Sequence, residues 1–311
     1  MMTVVAIGMI CARTFAQNMF VSDYWAHCIY YFTPEGVQNT FATGLAGPQG
    51  IAFDGAGNLF VADNTSGNIY KFTPDGVRST FASGLSNVHG LAVDKAGNLY
   101  AADSASGFAG SGAVYRWTTA GKRSTFVTGL FAPYALALDS AGDVFVSNQA
   151  GGIFNDTILE YKVGGGYTTF ASGLFNTHGM TFDSSGNLFV QDSYAGSSIY
   201  KITPSGVRST FANYYGLGLG FDSAGKLLQG DDFGNIYEFS PEGTRTLFAS
   251  GLAQPGFFAL QVPERSVWAI FCVGSVVLFG SLRSRHRAVM DRLGGPNKRP
   301  EADAGWRYKR E

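Results

Sequence analysis

One phrase of four short apolar runs returns along this chain and constrains it more than any single residue. In its best-formed copy the runs are Gly50-Ile51-Ala52-Phe53, Leu59-Phe60-Val61-Ala62, Ile69-Tyr70-Lys71-Phe72 and Arg78-Ser79-Thr80-Phe81-Ala82. The Phe of the fourth run recurs at Phe41, Phe81, Phe126, Phe170, Phe211 and Phe248, at intervals of 40, 45, 44, 41 and 37 residues. Each run is too short for an ordinary helix and is rich in aromatic and β-branched residues, so the four read as strands, a to d. Between a and b lies Asp-x-x-Gly, as in Asp54–Gly57, Asp94–Gly97 and Asp139–Gly142. Between c and d lies Thr-Pro-x-Gly, as in Thr33–Gly36, Thr73–Gly76 and Thr203–Gly206. Asp hydrogen-bonds its own turn, Pro presets φ, and Gly takes the left-handed position that a tight hairpin needs.

A repeat of about 40 residues built from four short strands is the signature of a β-propeller. Six copies fill residues 17–261. The array enters at a strand b, Asn18-Met19-Phe20-Val21, and leaves with Pro255-Gly256-Phe257-Phe258-Ala259-Leu260-Gln261, which aligns without gaps on the strand a segment Pro48–Asp54. The first b, c and d lack an a, and the last a lacks its b, c and d. Joining them in one blade closes a ring of six and removes the open sheet edges. The prediction is an all-β, six-bladed propeller of four-stranded blades, closed by N- and C-terminal strands that share a blade.

The segment Pro48-Gln49-Gly50-Ile51-Ala52-Phe53-Asp54 to Asn58-Leu59-Phe60-Val61-Ala62-Asp63 resembles the NHL repeat signature, and the array is similar to gluconolactonase-like six-bladed propellers over about four-fifths of the chain. That resemblance implies a fold, while the families it points to mix binding scaffolds, lactonases and lyases.

The two ends read differently from the array. Residues 3–12 are apolar and Thr14-Phe15-Ala16 offers small residues at −3 and −1, so residues 1–16 read as a secretory signal peptide. Behind the array, Val262-Pro263-Glu264-Arg265-Ser266 is followed by an apolar run from Val267 to Leu282 and then by Arg283, Arg285, His286 and Arg287. Residues 262–287 resemble the PEP-CTERM sorting signal of exopolysaccharide-producing bacteria, with Arg265 in place of the second Pro, and 288–311 form a polar basic tail. The resemblance implies a transmembrane helix, an exosortase-type processing partner acting at Val262–Ser266, and display at the cell surface or outside the cell. A plain C-terminal anchor is the alternative.

Charge follows the same partition. Residues 18–261 hold 11 Lys and Arg against 18 Asp and Glu, whereas residues 262–311 hold 10 against 5. An acidic propeller repels phosphate backbones, which excludes nucleic acid as a partner class. Of three Cys only Cys28 falls in the array, so no disulfide forms within it.

Strands a and c run one way and b and d the other, so the d–a and b–c connections share one face, the top. Variable loops on a rigid ring are the usual place for binding. The top of the central channel is expected to be lined by Gln49, His89, Tyr134, His178, Leu217 and Gly256, one per blade, with Asp103 and Asp192 ending strand b of the two His blades. Two readings compete. In the first, the Asp residues cap strand b, the His residues are hydrogen-bonded pore lining, no cofactor is needed, and the top face binds an extracellular glycan, peptide or protein. In the second, His89 and His178 hold a divalent metal, zinc or calcium, for lactonase or lyase chemistry, with Tyr134 orienting the ligand and Asp103 or Asp192 assisting. Resemblance to pore-His lyases would require a third His at Gly256, and the Glu, Asp and Asn set of the gluconolactonase-like enzymes has no carboxylate counterpart in this ring. No G-x-S-x-G, H-E-x-x-H or phosphate-loop motif occurs.

Overall fold

The computed structural model describes residues 17–105, 110–149, 156–193 and 197–261. They form six four-stranded antiparallel sheets arranged as the blades of a propeller. Blade 1 is built from strand a at Pro255–Leu260 and strands b, c and d at Met19–Asp23, Cys28–Phe32 and Gln38–Ala42. Strand a then starts blades 2 to 6 at Pro48–Phe53, Val88–Val93, Pro133–Leu138, Thr177–Phe182 and Leu219–Phe221. Among the described residues no helix is long and apolar enough to cross a membrane. The predicted signal peptide, transmembrane helix and Val262–Ser266 segment lie outside the described residues.

Ring closure takes the predicted form. Met19 pairs with Leu260, Phe20 with Ala259, Val21 with Phe258 and Asp23 with Pro255. The Gln261 amide donates to the Asn18 carbonyl at 3.0 Å, and the Asn18 side-chain amide donates to Gln261 Oε1 at 2.8 Å. Every sheet thus has its full four strands.

The core lies between blades. Six hydrophobic clusters occur, one at each blade–blade interface. Strand b explains why: Leu59–Asp63 and Leu99–Asp103 are buried at all five positions, because each face packs on a neighbouring blade. The recurring Phe of strand d meets an aromatic ring of strand b edge-on, at 5.0 Å for Phe41 on Phe20, 4.9 Å for Phe81 on Phe60 and 5.1 Å for Phe211 on Phe189. Edge-to-face pairing is the favoured geometry of such rings, so the repeated Phe is a packing device.

The turns hold the blades' bottom face. Asp54 Oδ1 accepts from the amides of Ala56 and Asn58, both at 2.9 Å, and Asp94, Asp139, Asp183 and Asp222 bind their own turns in the same way. Gly57 and Gly76 close their turns at φ +81° and +83°.

Candidate functional site

The top of the channel is closed by a stack of rings. Gln49, His89, Tyr134 and His178 sit at the second position of strand a in blades 2 to 5, inside the strands and not before them. The Tyr134 ring lies 4.3 Å from the His89 ring, 4.9 Å from the His178 ring and 6.0 Å from Phe257. Phe257 belongs to blade 1, opposite Tyr134 in a ring of six, so Tyr134 reaches across the axis. Gln49 ties the group together: its Oε1 accepts from His89 Nδ1 at 2.8 Å, and its side chain also bonds the Tyr134 hydroxyl.

The chains converge this closely because Gly50, Gly90, Gly179 and Gly218 follow the pore residues of blades 2, 3, 5 and 6. A Cβ on Gly50 would lie 2.2 Å from the His89 carbonyl oxygen, and one on Gly218 only 1.5 Å from that of Gly256. In blades 2, 3, 5 and 6 the pore residue is brought to the axis by the glycine that follows it, whereas Tyr134 is followed by Ala135 and Gly256 by Phe257. Leu217 and Gly256 complete the mouth as expected, together with Ser22, Tyr24 and Gln254. The free space among them is about 30 Å³ measured to the centres of water-sized molecules. One water needs about 10–15 Å³ on that measure. The space enclosed among these described residues matches a few waters.

Burial dominates the electrostatics. It lowers the pKa of His89 to about 4, helped by the neighbouring His178 and opposed by Asp103. It lowers His178 to about 4 as well, against the pull of Asp232. Both imidazoles are neutral at pH 7. Burial also raises the Tyr134 phenol well above its ordinary range, so Tyr134 stays protonated. His178 Nδ1 is buried without a hydrogen-bond partner.

The strand-b aspartates are fasteners. Asp63 accepts from the Ala46 and Gly47 amides, each at 2.8 Å, which pins the connection entering blade 2. Asp23 does the same for Ala253 and Gln254 at 2.7 and 2.8 Å. Asp103 spends both oxygens on the amides of Ser86, Asn87 and Ala105, at 3.2, 2.9 and 3.0 Å. These bonds serve the backbone, and they leave Asp103 as a charge near His89. Asp192 ends strand b of blade 5 and is buried.

Neutral imidazoles are competent metal ligands, but the geometry does not assemble a set around them. Tyr134 stacks on His89 and lies tilted against His178, and among the described residues no group of three His, Cys, Asp or Glu ligand atoms includes either imidazole. Among the described residues, three such groups within 4.8 Å of one another occur only at Asp139, Asp143 and Glu160. There the Lys162 ammonium already lies 3.1 Å from Asp143 and 2.5 Å from Glu160.

Residues not singled out in the sequence complete this face. Phe257 stands where blades 2, 3, 5 and 6 carry Gly50, Gly90, Gly179 and Gly218, a departure visible in the repeat. Trp25 and Phe233 sit in b–c turns where blade 2 has only small or polar residues, Asn64 to Gly67.

No family model matches the chain, and no curated protein compared with it does. Solved structures match its fold. The propeller in a nidogen/laminin complex superposes with a TM-score of 0.67 at 16% identity, covering 79% of this chain and 98% of that one. A gluconolactonase from Xanthomonas campestris gives 0.61 at 14%, covering 78% and 87%. The virginiamycin B lyase of Staphylococcus aureus gives 0.57 at 14%, covering 80% and 94%. The chain is thus similar to six-bladed propellers of gluconolactonase-like and related types, among which are both binding proteins and enzymes.

Proposed function

We propose that this protein is an exported, non-catalytic binding scaffold that takes its ligand on the top face. The observation that carries the reading is the ring cluster: Tyr134, His89, His178 and Phe257 fill the channel mouth and leave little free space among them. Gln49 holds Tyr134 and His89 by hydrogen bonds, so the stack is a built feature of the fold. The reading includes export through residues 1–16 and surface display through residues 262–287, with an exosortase-type enzyme acting at Val262-Pro263-Glu264-Arg265-Ser266, or a plain anchor in its place. Ligands in scope are an extracellular protein, peptide or glycan. The likeness to the propeller of the nidogen/laminin complex supports a protein ligand at the level of fold alone.

The competing reading, a metal-dependent lactonase or lyase, rests on the two neutral imidazoles and the orphaned His178 Nδ1. Metal analysis of the purified protein separates the two. After dialysis the protein is expected to hold no stoichiometric zinc or calcium. A one-to-one ion that survives dialysis, and is absent from the His89→Ala, His178→Ala double variant, moves the function to the lactonase or lyase class.

A further inference from the structure

The charge of this propeller is segregated along its axis. All eleven Lys and Arg of residues 18–261 stand in the bottom turns, at the start of strand d, or on the lower part of strand c. None falls in a d–a or b–c connection, and the stretches 106–109, 150–155 and 194–196 contain no Lys or Arg in sequence. Arg78 and Arg208 lie back over Tyr70 and Tyr200 on the outer strands, at 3.7 and 4.9 Å. Eleven of the eighteen acidic residues share the bottom half with these cations, in pairs such as Lys201 with Asp183 and Lys226 with Glu238. The other seven, Asp23, Asp63, Asp103, Asp156, Asp192, Asp231 and Asp232, stand at the top. By chain position the bottom half is neutral and the seven unmatched acids stand at the top, while two Arg head groups reach d–a connections: Arg78 donates to the Gly44 carbonyl at 3.1 Å and Arg245 lies over Tyr214 at 4.0 Å.

On that face, among the described residues, a patch is both apolar and exposed. Trp25 is 61% exposed and Phe233 81%, at the tips of the b–c turns of blades 1 and 6. Tyr215 beside them is 39% exposed. The patch is continuous. Tyr24 packs edge-on against Trp25 at 4.9 Å, its amide donates to the Gln254 carbonyl at 3.2 Å, and the Gln254 side chain donates to Asp232 Oδ1 at 2.6 Å. The Tyr215 hydroxyl donates to the other Asp232 oxygen. Asp231 holds the second turn rigid by accepting from the Phe233 and Asn235 amides at 2.9 and 2.8 Å. Asp232 is exposed, and the Tyr215 phenol and the Gln254 amide that donate to it are neutral. Fixed turns thus present large aromatic rings to water around an uncompensated carboxylate.

We propose that the Trp25–Tyr215–Asp232–Phe233 patch is a docking surface for a basic segment of a partner protein, with a Lys or Arg side chain of that partner held against Asp232 and the aromatic rings. The argument for this occupant is charge complementarity. A cation gains from the carboxylate, from the ring faces and from the field of the whole top. A neutral glycan gains nothing from that field, and an acidic glycan is repelled by it. Exposed Trp and aromatic anchors are the residues that dominate protein interfaces. The proposal rests on the top-face reading given above and narrows its ligand to one class.

The test uses the full-length protein, a ten-residue peptide of alternating Arg and Gly, and a neutral cello-oligosaccharide, followed by calorimetry and Trp fluorescence. Saturable peptide binding is expected, weakened at least tenfold between 50 and 300 mM salt, as screening of an exposed charge pair requires. Trp25→Ser and Asp232→Asn should each weaken it at least fivefold with an unchanged melting temperature. Glu242→Gln removes the same charge from an exposed bottom turn and should leave binding within twofold. Equal losses in Asp232→Asn and Glu242→Gln would reduce the effect to net charge and overturn the proposal. Absence of peptide binding overturns it too. If the oligosaccharide then binds in a Trp25-dependent way, the top-face reading survives without the basic partner; if neither probe binds, both lose their support.

Discussion

At the residue scale, the pore mouth is a place where burial controls protonation. His89 and His178 have pKa values near 4 in the folded protein, against 6.5 for the ordinary imidazole. The unfolded chain therefore binds more protons than the folded one between these values. The stability they confer is complete above pH 6.5 and is lost as pH falls toward 4, at about 1.4 kcal/mol for each tenfold loss of proton affinity. Melting followed across this window should show a drop that His89→Gln with His178→Gln flattens; a profile as steep in the double variant as in the parent would place the titrating groups elsewhere. The identities of these residues were legible in the repeat, because they occupy one alignment column. Their arrangement was not. That Tyr134 spans the axis, stacks on His89 and meets His178 at a tilt depends on how closely six strands converge, and no local spacing encodes that distance. Asp103 illustrates the same limit: its place at the end of strand b was legible, while the amides of Ser86 and Asn87 that consume its oxygens come from a connection 16 and 17 residues away.

At the element scale, the strands and turns were legible because their causes are local. Asp in Asp-x-x-Gly binds amides two and four residues on, as at Ala56 and Asn58, and Gly follows in the left-handed region. The glycines of strand a are a different matter. Gly50 and Gly90 look like ordinary strand residues in sequence, yet their missing Cβ atoms are what let adjacent blades touch. A Cβ on Gly90 would approach the Tyr134 carbonyl oxygen to 2.6 Å. Because backbone on both sides resists movement, Gly50→Ala and Gly90→Ala should each destabilise by about 2 kcal/mol or more, measured by denaturant unfolding. Gly55→Ala, where a Cβ meets nothing within 4 Å, serves as the control. A cost at Gly50 no greater than at Gly55 would mean that the blades do not converge as described.

At the scale of the whole molecule, the channel, the ring stack and the acidic top face all depend on blade 1 being completed from both ends of the array. Phe257 reaches Tyr134, and Gln254 reaches Asp232, only because Pro255–Leu260 is held beside Met19–Asp23. Without that pairing, blade 1 keeps an open strand edge and blades 1 and 6 lose the interface that carries the aromatic patch. Amide hydrogen exchange on the intact protein reads this most directly. The amides of 257–260 are predicted to be protected to the same degree, within about tenfold, as the corresponding amides of Ile51–Phe53 and Leu91–Val93, because opening any of them requires breaking the ring. Exchange of 257–260 at the rate of unstructured chain, while the other strands a stay protected, would contradict the closed six-bladed ring and the binding face built upon it.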